Sequence, residues 1–298
     1  MANPIWLEAA LNGPWSRAIQ PKIPISVAEI VEEGIACAKA GAAILHLHAY
    51  DEATGRQRDD AAIYAAIIEG IRAEVDAIVY PTIPLAGSPD SPDLGDGAAR
   101  FAAIDELAES GLIEWAVVDP GSVNFAHLDN IERDKQGFPY LNPESHIRAG
   151  LAVAEKHRIH PTYAIYEPGF ARTGAALAKR YPAVPVPIYR LMFSDRFTFS
   201  FPAERYALDA YRTLLQAEAP GAPWMIAGLT VDVRPLIEET VAGGGHVRVG
   251  LEDAPFGSEM SNVEWVEDAA RRIENAGGRI ANANDVRTAL DNTKLENQ

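Results

Sequence analysis

Residues 223–276 read PWMIAGLTVDVRPLIEETVAGGGHVRVGLEDAPFGSEMSNVEWVEDAARRIENA, and their pattern carries the fold in miniature. Two short apolar runs, 223–227 and 246–250, each lead into a longer helical pattern, 233–242 and 261–276. Gly243 to Gly245 suit a helix stop, and Ser261 is placed to cap the helix that follows. The same alternation extends upstream. Strands are expected at 4–10, 42–48, 77–83, 114–118, 161–166 and 185–192, with helices at 26–40, 58–75, 97–110, 142–157, 171–180 and 203–217. Ser26 and Asn142-Pro143 mark further starts, and Gly41 and Gly111 further stops. A last helix is expected near 283–291. Eight strands each followed by a helix is the count of a (β/α)8 TIM barrel, with a doubly wound open sheet as the competing α/β arrangement. No Pro/Gly/Ser-rich linker divides the chain, so one domain over 1–298 is expected, with long βα loops and a C-terminal helix.

Composition agrees with a large enzyme-sized core. The chain has 298 residues, 48% of them hydrophobic and 23% charged, which argues against disorder. Its 26 basic and 42 acidic residues give a formal net charge of −16. That field repels nucleic acid but leaves room for a small anionic ligand in a local pocket of positive charge. Cys37, the single cysteine, has no intrachain disulfide partner and reads as a core residue. MANPIWLEAA lacks a basic segment followed by a long apolar run, and no stretch approaches the roughly 20 apolar residues of a membrane span. A cytoplasmic protein with no membrane partner is the expectation.

In a barrel the chemistry belongs to the loops after the strands, and three of these are long: 84–96, 119–141 and 193–202. His46-Leu47-His48 closes the second strand, where alternation sends both imidazoles to one face. The eighth strand ends in Gly250-Leu251-Glu252-Asp253, and strands one, two and eight adjoin when a barrel closes. Glu252 or Asp253 is therefore placed to join the two histidines on a divalent metal. Zinc is the first choice for such donors; manganese and ferrous iron also suit them. The bland alternative is a pair of hydrogen-bonded histidines and a capping acid. Arg248, two residues before Gly250, is expected to lie deep under the metal with Asp253 as its partner, holding a carboxylate ready as a general base.

The stretches AGAAILHLHAYDEATGR (40–56), DPGSVNF (119–125) and GGHVRVGLEDAPF (244–256), with the closing GGRIANANDVRTAL, together resemble the β-keto acid cleavage enzymes along nearly the whole chain. The resemblance implies a zinc-dependent barrel enzyme that converts a β-keto acid and acetyl-CoA into acetoacetate and a new acyl-CoA. It assigns His46, His48 and Glu252 as zinc ligands, Asp253 as the catalytic base and Arg248 as its partner. Thr82, Ser122 and Asn124 match substrate contacts. A homo-oligomer, in the form of a tetramer, is also implied.

Three segments depart from the family pattern. Pro14 and Trp15 stand where members carry an acid that meets the substrate's far end. The fifth strand, Pro161-Thr162-Tyr163-Ala164, lacks two family acids. After the sixth strand, YRLMFSDRFTFSFP (189–202) replaces a Gly-rich segment. Its Arg190 and Arg196 are expected to bind an anionic or aromatic group from above the metal, completing a cationic well. Its phenylalanines otherwise simply pack the loop. Two further readings stay open: a metal-dependent hydrolase on the same barrel, and a non-catalytic carboxylate-binding barrel. Against the first, no later histidine stands at a strand's C-terminal end.

Overall fold

Eight buried strands form the centre: β1 (Leu7–Ala10), β2 (Ile44–Leu47), β3 (Ile78–Pro81), β4 (Trp115–Val117), β5 (His160–Ile165), β6 (Ile188–Phe193), β7 (Trp224–Gly228) and β8 (His246–Val249). They come from a computed structural model that describes residues 4–88 and 95–296, so residues 89–94 of the loop 84–96 lie outside the described residues. All ladder pairs are parallel and run in the order β3–β2–β1–β8–β7–β6–β5–β4. Across the remaining seam between β3 and β4, the Tyr80 and Trp115 rings pack 5.7 Å apart. The sheet is thus nearly closed into the expected barrel.

Helices return the chain between strands: α1 (Val27–Lys39), α2 (Ala61–Arg72), α3 (Ala102–Glu109), α4 (Glu144–His157), α5 (Pro168–Arg180), α6 (Arg205–Glu218), α7 (Ile237–Ala242) and α8 (Asn262–Asn275). A final α9 (Ala283–Glu296) follows. The start signals work as their chemistry demands. Ser26 and Ser261 each accept from a backbone N–H three residues on, while Glu29 and Glu264 reach back to complete capping boxes. Each cap is worth about 1 kcal/mol. Outward strand residues such as Leu45 meet helix residues such as Ile71 in one continuous core, which also contains the fully buried Cys37. No helix among the described residues is long and apolar enough to cross a membrane.

Some boundaries differ from the sequence pattern for local reasons. The expected strand 4–10 breaks at Trp6, whose ring stacks on His246 at 3.9 Å and whose N–H donates to His246 Nδ1 at 3.2 Å. Pro4–Ile5 then pairs with Arg279–Ile280 instead, outside the barrel ladder. The expected helix 97–110 divides at Phe101 into Gly97–Arg100 and α3. The loop 119–141 is not irregular: Val123–Phe125 and Phe138–Tyr140 form an antiparallel hairpin around a short helix, Leu128–Glu132. A second hairpin, Tyr50–Asp51 with Arg56–Gln57, follows β2.

Candidate active site

Alternation along the strands points Glu8, His46, Tyr80, Arg190 and Arg248 into the barrel, every one at most 3% exposed. Buried polar side chains survive only with partners. Those of Arg248 are complete: Nε and Nη2 bond Asp253 Oδ2 and Oδ1 at 2.9 and 2.8 Å, and Nη1 bonds Glu8 Oε1 at 3.0 Å. Nη2 also lies 2.9 Å from Glu252 Oε1. One guanidinium therefore ties together the acids on either side of the β8–β1 boundary. Tyr80 donates to Glu8 Oε1 at 2.7 Å and extends this network to β3.

The chain must turn sharply after β8 to bring Glu252 back over the barrel mouth. Gly250 makes that turn at φ +138°, where a Cβ would sit on the Ala10 carbonyl oxygen. Trp15 Nε1 then holds the Glu252 carbonyl at 2.8 Å. Glu252 Oε2 lies 3.6 Å from His46 Nε2, and Oε1 lies 3.6 Å from His48 Nε2. The two imidazoles stand nearly perpendicular, 83° between planes. His46, His48 and Glu252 each offer one ligand atom within 4.8 Å of the others.

These atoms are spaced for a shared cation rather than for one another. His48 Nε2 and Glu252 Oε2 are buried without a hydrogen-bond partner among the described residues. Burial holds the His46 pKa well below the ordinary imidazole range, so that ring is neutral. Burial penalises the Glu252 carboxylate, but Arg248 together with His46 and His48 outweighs it and holds the group well below the ordinary carboxylate range. Two imidazoles and one carboxylate match the donor set of a catalytic divalent metal with open positions. His48 is oriented from behind: Gln57 Oε1 lies 2.8 Å from His48 Nδ1, and Gln57 Nε2 donates to both Asp59 oxygens at 2.8 and 2.9 Å. The Asp59 carboxylate fixes which way the Gln57 amide faces, so His48 Nδ1 carries the proton and Nε2 keeps its lone pair.

The metal donors open onto a cavity of about 670 Å3, with Arg190, Arg248 and Asp119 among its polar lining and Phe125, Phe138 and Phe197 among its aromatic walls. Thr82 lines it as well. Ser122, Asn124 and Arg196 do not. Ser122 and Asn124 are exposed and outside the lining, because Val123 and Phe125 take the inward positions of their hairpin; the Ser122 hydroxyl instead accepts from Asn142 N at 2.7 Å. Arg196 is exposed and stacks over Phe256 at 5.4 Å. Arg190, buried on β6, lies in the barrel interior and lines the cavity. Asp253 sits behind Arg248, off the cavity wall, with its Oδ2 also accepting from Gly228 N at 3.2 Å. Burial raises its pKa to about 6.

The aromatic loop after β6 divides between packing on α6 and lining the cavity. Phe193 and Phe201 pack on Tyr211 of α6 at 5.6 and 5.1 Å, whereas Phe197 reaches the cavity. His160 and His246 begin β5 and β8, at the end remote from the cavity. The structure adds residues that the sequence pattern did not single out: Glu8, Tyr80, Asp119, Gln57 and Asp59. Only Glu8 had a local signal, an acid inside the apolar run PIWLEAA.

Similarity to known proteins agrees with this geometry. The chain is 25% identical over 277 residues to the 3-keto-5-aminohexanoate cleavage enzyme of Fusobacterium nucleatum, covering 91% of each chain. It is 26% identical over 302 residues to the 3-oxoadipate:acetyl-CoA acetyltransferase of Cupriavidus necator, covering 99% of this chain and 98% of that one. Over 291 residues it is 31% identical to the 3,5-dioxohexanoate:acetyl-CoA acetone transferase of Paraburkholderia graminis, covering 92% and 90%. Among solved structures, apo ObcA superposes with a TM-score of 0.72 at 18% identity, over 91% of this chain and 66% of ObcA, a likeness of fold. The beta-keto acid cleavage enzyme family model matches residues 4–291, and the chain belongs to that family.

Proposed function

We propose that the chain is a zinc-dependent transferase that combines a β-keto acid with acetyl-CoA to give acetoacetate and a new acyl-CoA. The observation that supports it most is the convergence of His46, His48 and Glu252, with His48 Nε2 and Glu252 Oε2 buried and unpaired among the described residues, on the 670 Å3 cavity. Acetyl-CoA as co-substrate is supported by relatives named for transfer to it. A divalent ion held by these three residues would supply Lewis acidity toward the oxygens of the keto acid.

The remaining work falls to protein groups. Asp253 accepts a proton from the methylene between carboxylate and ketone, a carbon already acidified by two carbonyls. Its carboxylate must turn past Arg248 to do so, since the guanidinium separates it from the cavity wall. Arg248 bonds Asp253 and Glu252 together and keeps both acids ionised and in register. Thr82 and Arg190 contact the substrate from the lining. The methylene carbon forms a bond to the acetyl carbonyl and the CoA thiolate leaves. The thiolate then adds to the acid's original keto carbon, the bond from that carbon to the methylene breaks, and the proton returns as acetoacetate departs.

Purified protein loaded with zinc, incubated with acetyl-CoA and a panel of β-keto acids, should yield new acyl-CoA species by mass spectrometry. Fully metallated protein that produces none from a broad panel refutes the reaction. CoA-independent ester or amide hydrolysis by the same protein would point to the hydrolase alternative.

A further inference from the structure

Two arginines occupy the barrel interior, and they differ in how fully they are paired. Arg248 meets three carboxylates at 2.8–3.0 Å. Arg190, 3% exposed and lining the cavity, has no comparable partner. Its Nη1 reaches the Tyr80 hydroxyl oxygen at a long 3.4 Å, and its Nη2 stands 3.8 Å from Asp119 Oδ1, beyond hydrogen-bond range. Nε has no partner among the described residues. Asp119 is committed elsewhere: Oδ2 accepts from the Tyr140 hydroxyl at 2.8 Å and Oδ1 from Ala164 N at 3.0 Å. A guanidinium carries five N–H donors in a planar fork that matches a carboxylate. Leaving most of them unmet in a buried site is costly unless a ligand arrives to accept them.

We infer that Arg190 is the counter-ion for a second carboxylate of the substrate, so that the acid used is a short β-keto dicarboxylic acid. This rests on the reading of His46, His48 and Glu252 as the place where the reacting keto-acid end binds. The charge of that end is met at the metal site, which leaves Arg190 for the other end. The Tyr80 side chain bridges the two places, its ring 4.7 Å from that of His46 and its hydroxyl 3.4 Å from Arg190 Nη1. A short spacer between the carboxylates therefore spans them. Pro14 and Trp15 line the same cavity and supply no negative charge, so nothing from the first loop favours a cationic substrate end.

The test compares 3-oxoadipate with 3-oxohexanoate, which replaces the distal carboxylate by a methyl group, in acetyl-CoA-dependent turnover by wild-type, Arg190→Gln and Arg190→Lys proteins of verified zinc content and circular dichroism. The wild type should prefer the dicarboxylate by about 100-fold or more in kcat/KM, as expected when a site built to bond a group meets an analogue lacking it. Arg190→Gln should reduce that preference to a few-fold, by lowering kcat/KM for the dicarboxylate far more than for the monocarboxylate. Arg190→Lys, which keeps the charge without the fork, should fall between them and covers a glutamine variant that fails to fold. Equal use of both acids by the wild type, or an unchanged preference in the folded variants, overturns the inference. Calorimetric binding of 3-hydroxyadipate against 3-hydroxyhexanoate separates this from the proposed reaction. If neither keto acid turns over but the dicarboxylate still binds through Arg190, the transferase reading fails and the subsite stands. If the two hydroxy acids bind alike, the subsite fails.

Discussion

The hydrogen-bonded chain behind His48 makes a prediction that does not depend on turnover. Gln57 presents its carbonyl oxygen to His48 Nδ1 only because its amide nitrogen is held by both oxygens of Asp59, which Tyr64 also bonds at 2.8 Å. In Asp59→Asn the carboxylate that selects this orientation is gone, and a flipped Gln57 amide would offer N–H to His48 Nδ1. The imidazole then protonates on Nε2, the atom that faces Glu252 at 3.6 Å. Removing such a partner behind a metal ligand costs about 10–100-fold in metal affinity, or about 1.4–2.7 kcal/mol. Gln57→Ala, which removes the acceptor without reversing the tautomer, should fall in the lower part of that range. Tyr64→Phe should stay near wild type, because the two amide bonds that orient Gln57 survive. Zinc affinity measured by competition with a chromogenic chelator gives the magnitudes, and the 15N shifts of His48 report the tautomer directly. Affinities for Asp59→Asn and Gln57→Ala within about threefold of wild type, below the range expected for such a partner, would show that the chain does not orient His48.

Three further outcomes follow from the same geometry. Asp253 must be ionised to accept a proton, and its pKa is raised to about 6 by burial. kcat/KM should therefore fall about tenfold per pH unit below pH 6, and an acid limb well below pH 5 would assign the base elsewhere. Arg248→Met leaves Glu8, Glu252 and Asp253 buried without their shared cation. Urea unfolding should show a loss of about 3–5 kcal/mol, and a loss below about 1 kcal/mol would mean the acids take up protons at little cost. Gly250→Ala places a Cβ against the Ala10 carbonyl at a φ that side chains disfavour. It should cost about 1–3 kcal/mol in backbone strain alone and displace Glu252, read as weakened zinc binding; an unchanged zinc affinity would show that the turn does not set the ligand's position.

The barrel was legible in the sequence because its signals are local and repeat. Ser26 and Ser261 announce helix starts, and period-two and helical patterns alternate along the chain. The convergence of the candidate metal ligands was legible because His46 and His48 share a strand face and β8 lies beside β1 in the nearly closed barrel. What stayed hidden depends on contacts between distant segments. Gln57 becomes a partner of His48 only through the hairpin after β2. Ser122 and Asn124 lose the cavity to Phe125 through a hairpin that a 23-residue loop did not advertise. Tyr80 looks like an ordinary strand aromatic until its hydroxyl meets Glu8 from β1.

Charge shows the same gap between composition and arrangement. An acidic chain with Arg248, Arg190 and Arg196 near its site suggested a cationic well. The structure places Arg196 outside the cavity and consumes Arg248 on acids. The site holds two buried guanidiniums, Arg190 and Arg248, against five carboxylates, Glu8, Asp59, Asp119, Glu252 and Asp253, with His46 neutral. Acids thus outnumber the buried cations in surroundings where uncompensated charge is expensive. A divalent cation on His46, His48 and Glu252 would offset part of that excess, and the imbalance gives a reason for metal independent of ligand spacing. It also limits the substrate. With Arg248 consumed on acids, the site offers a diffuse polyanion no free field of positive charge, only the open positions such an ion would have and the under-bonded fork of Arg190, so recognition must run through discrete carboxylates. An acid with one carboxylate would satisfy the ion and leave Arg190 unmet, which is why the comparison of mono- and dicarboxylic acids is the decisive one.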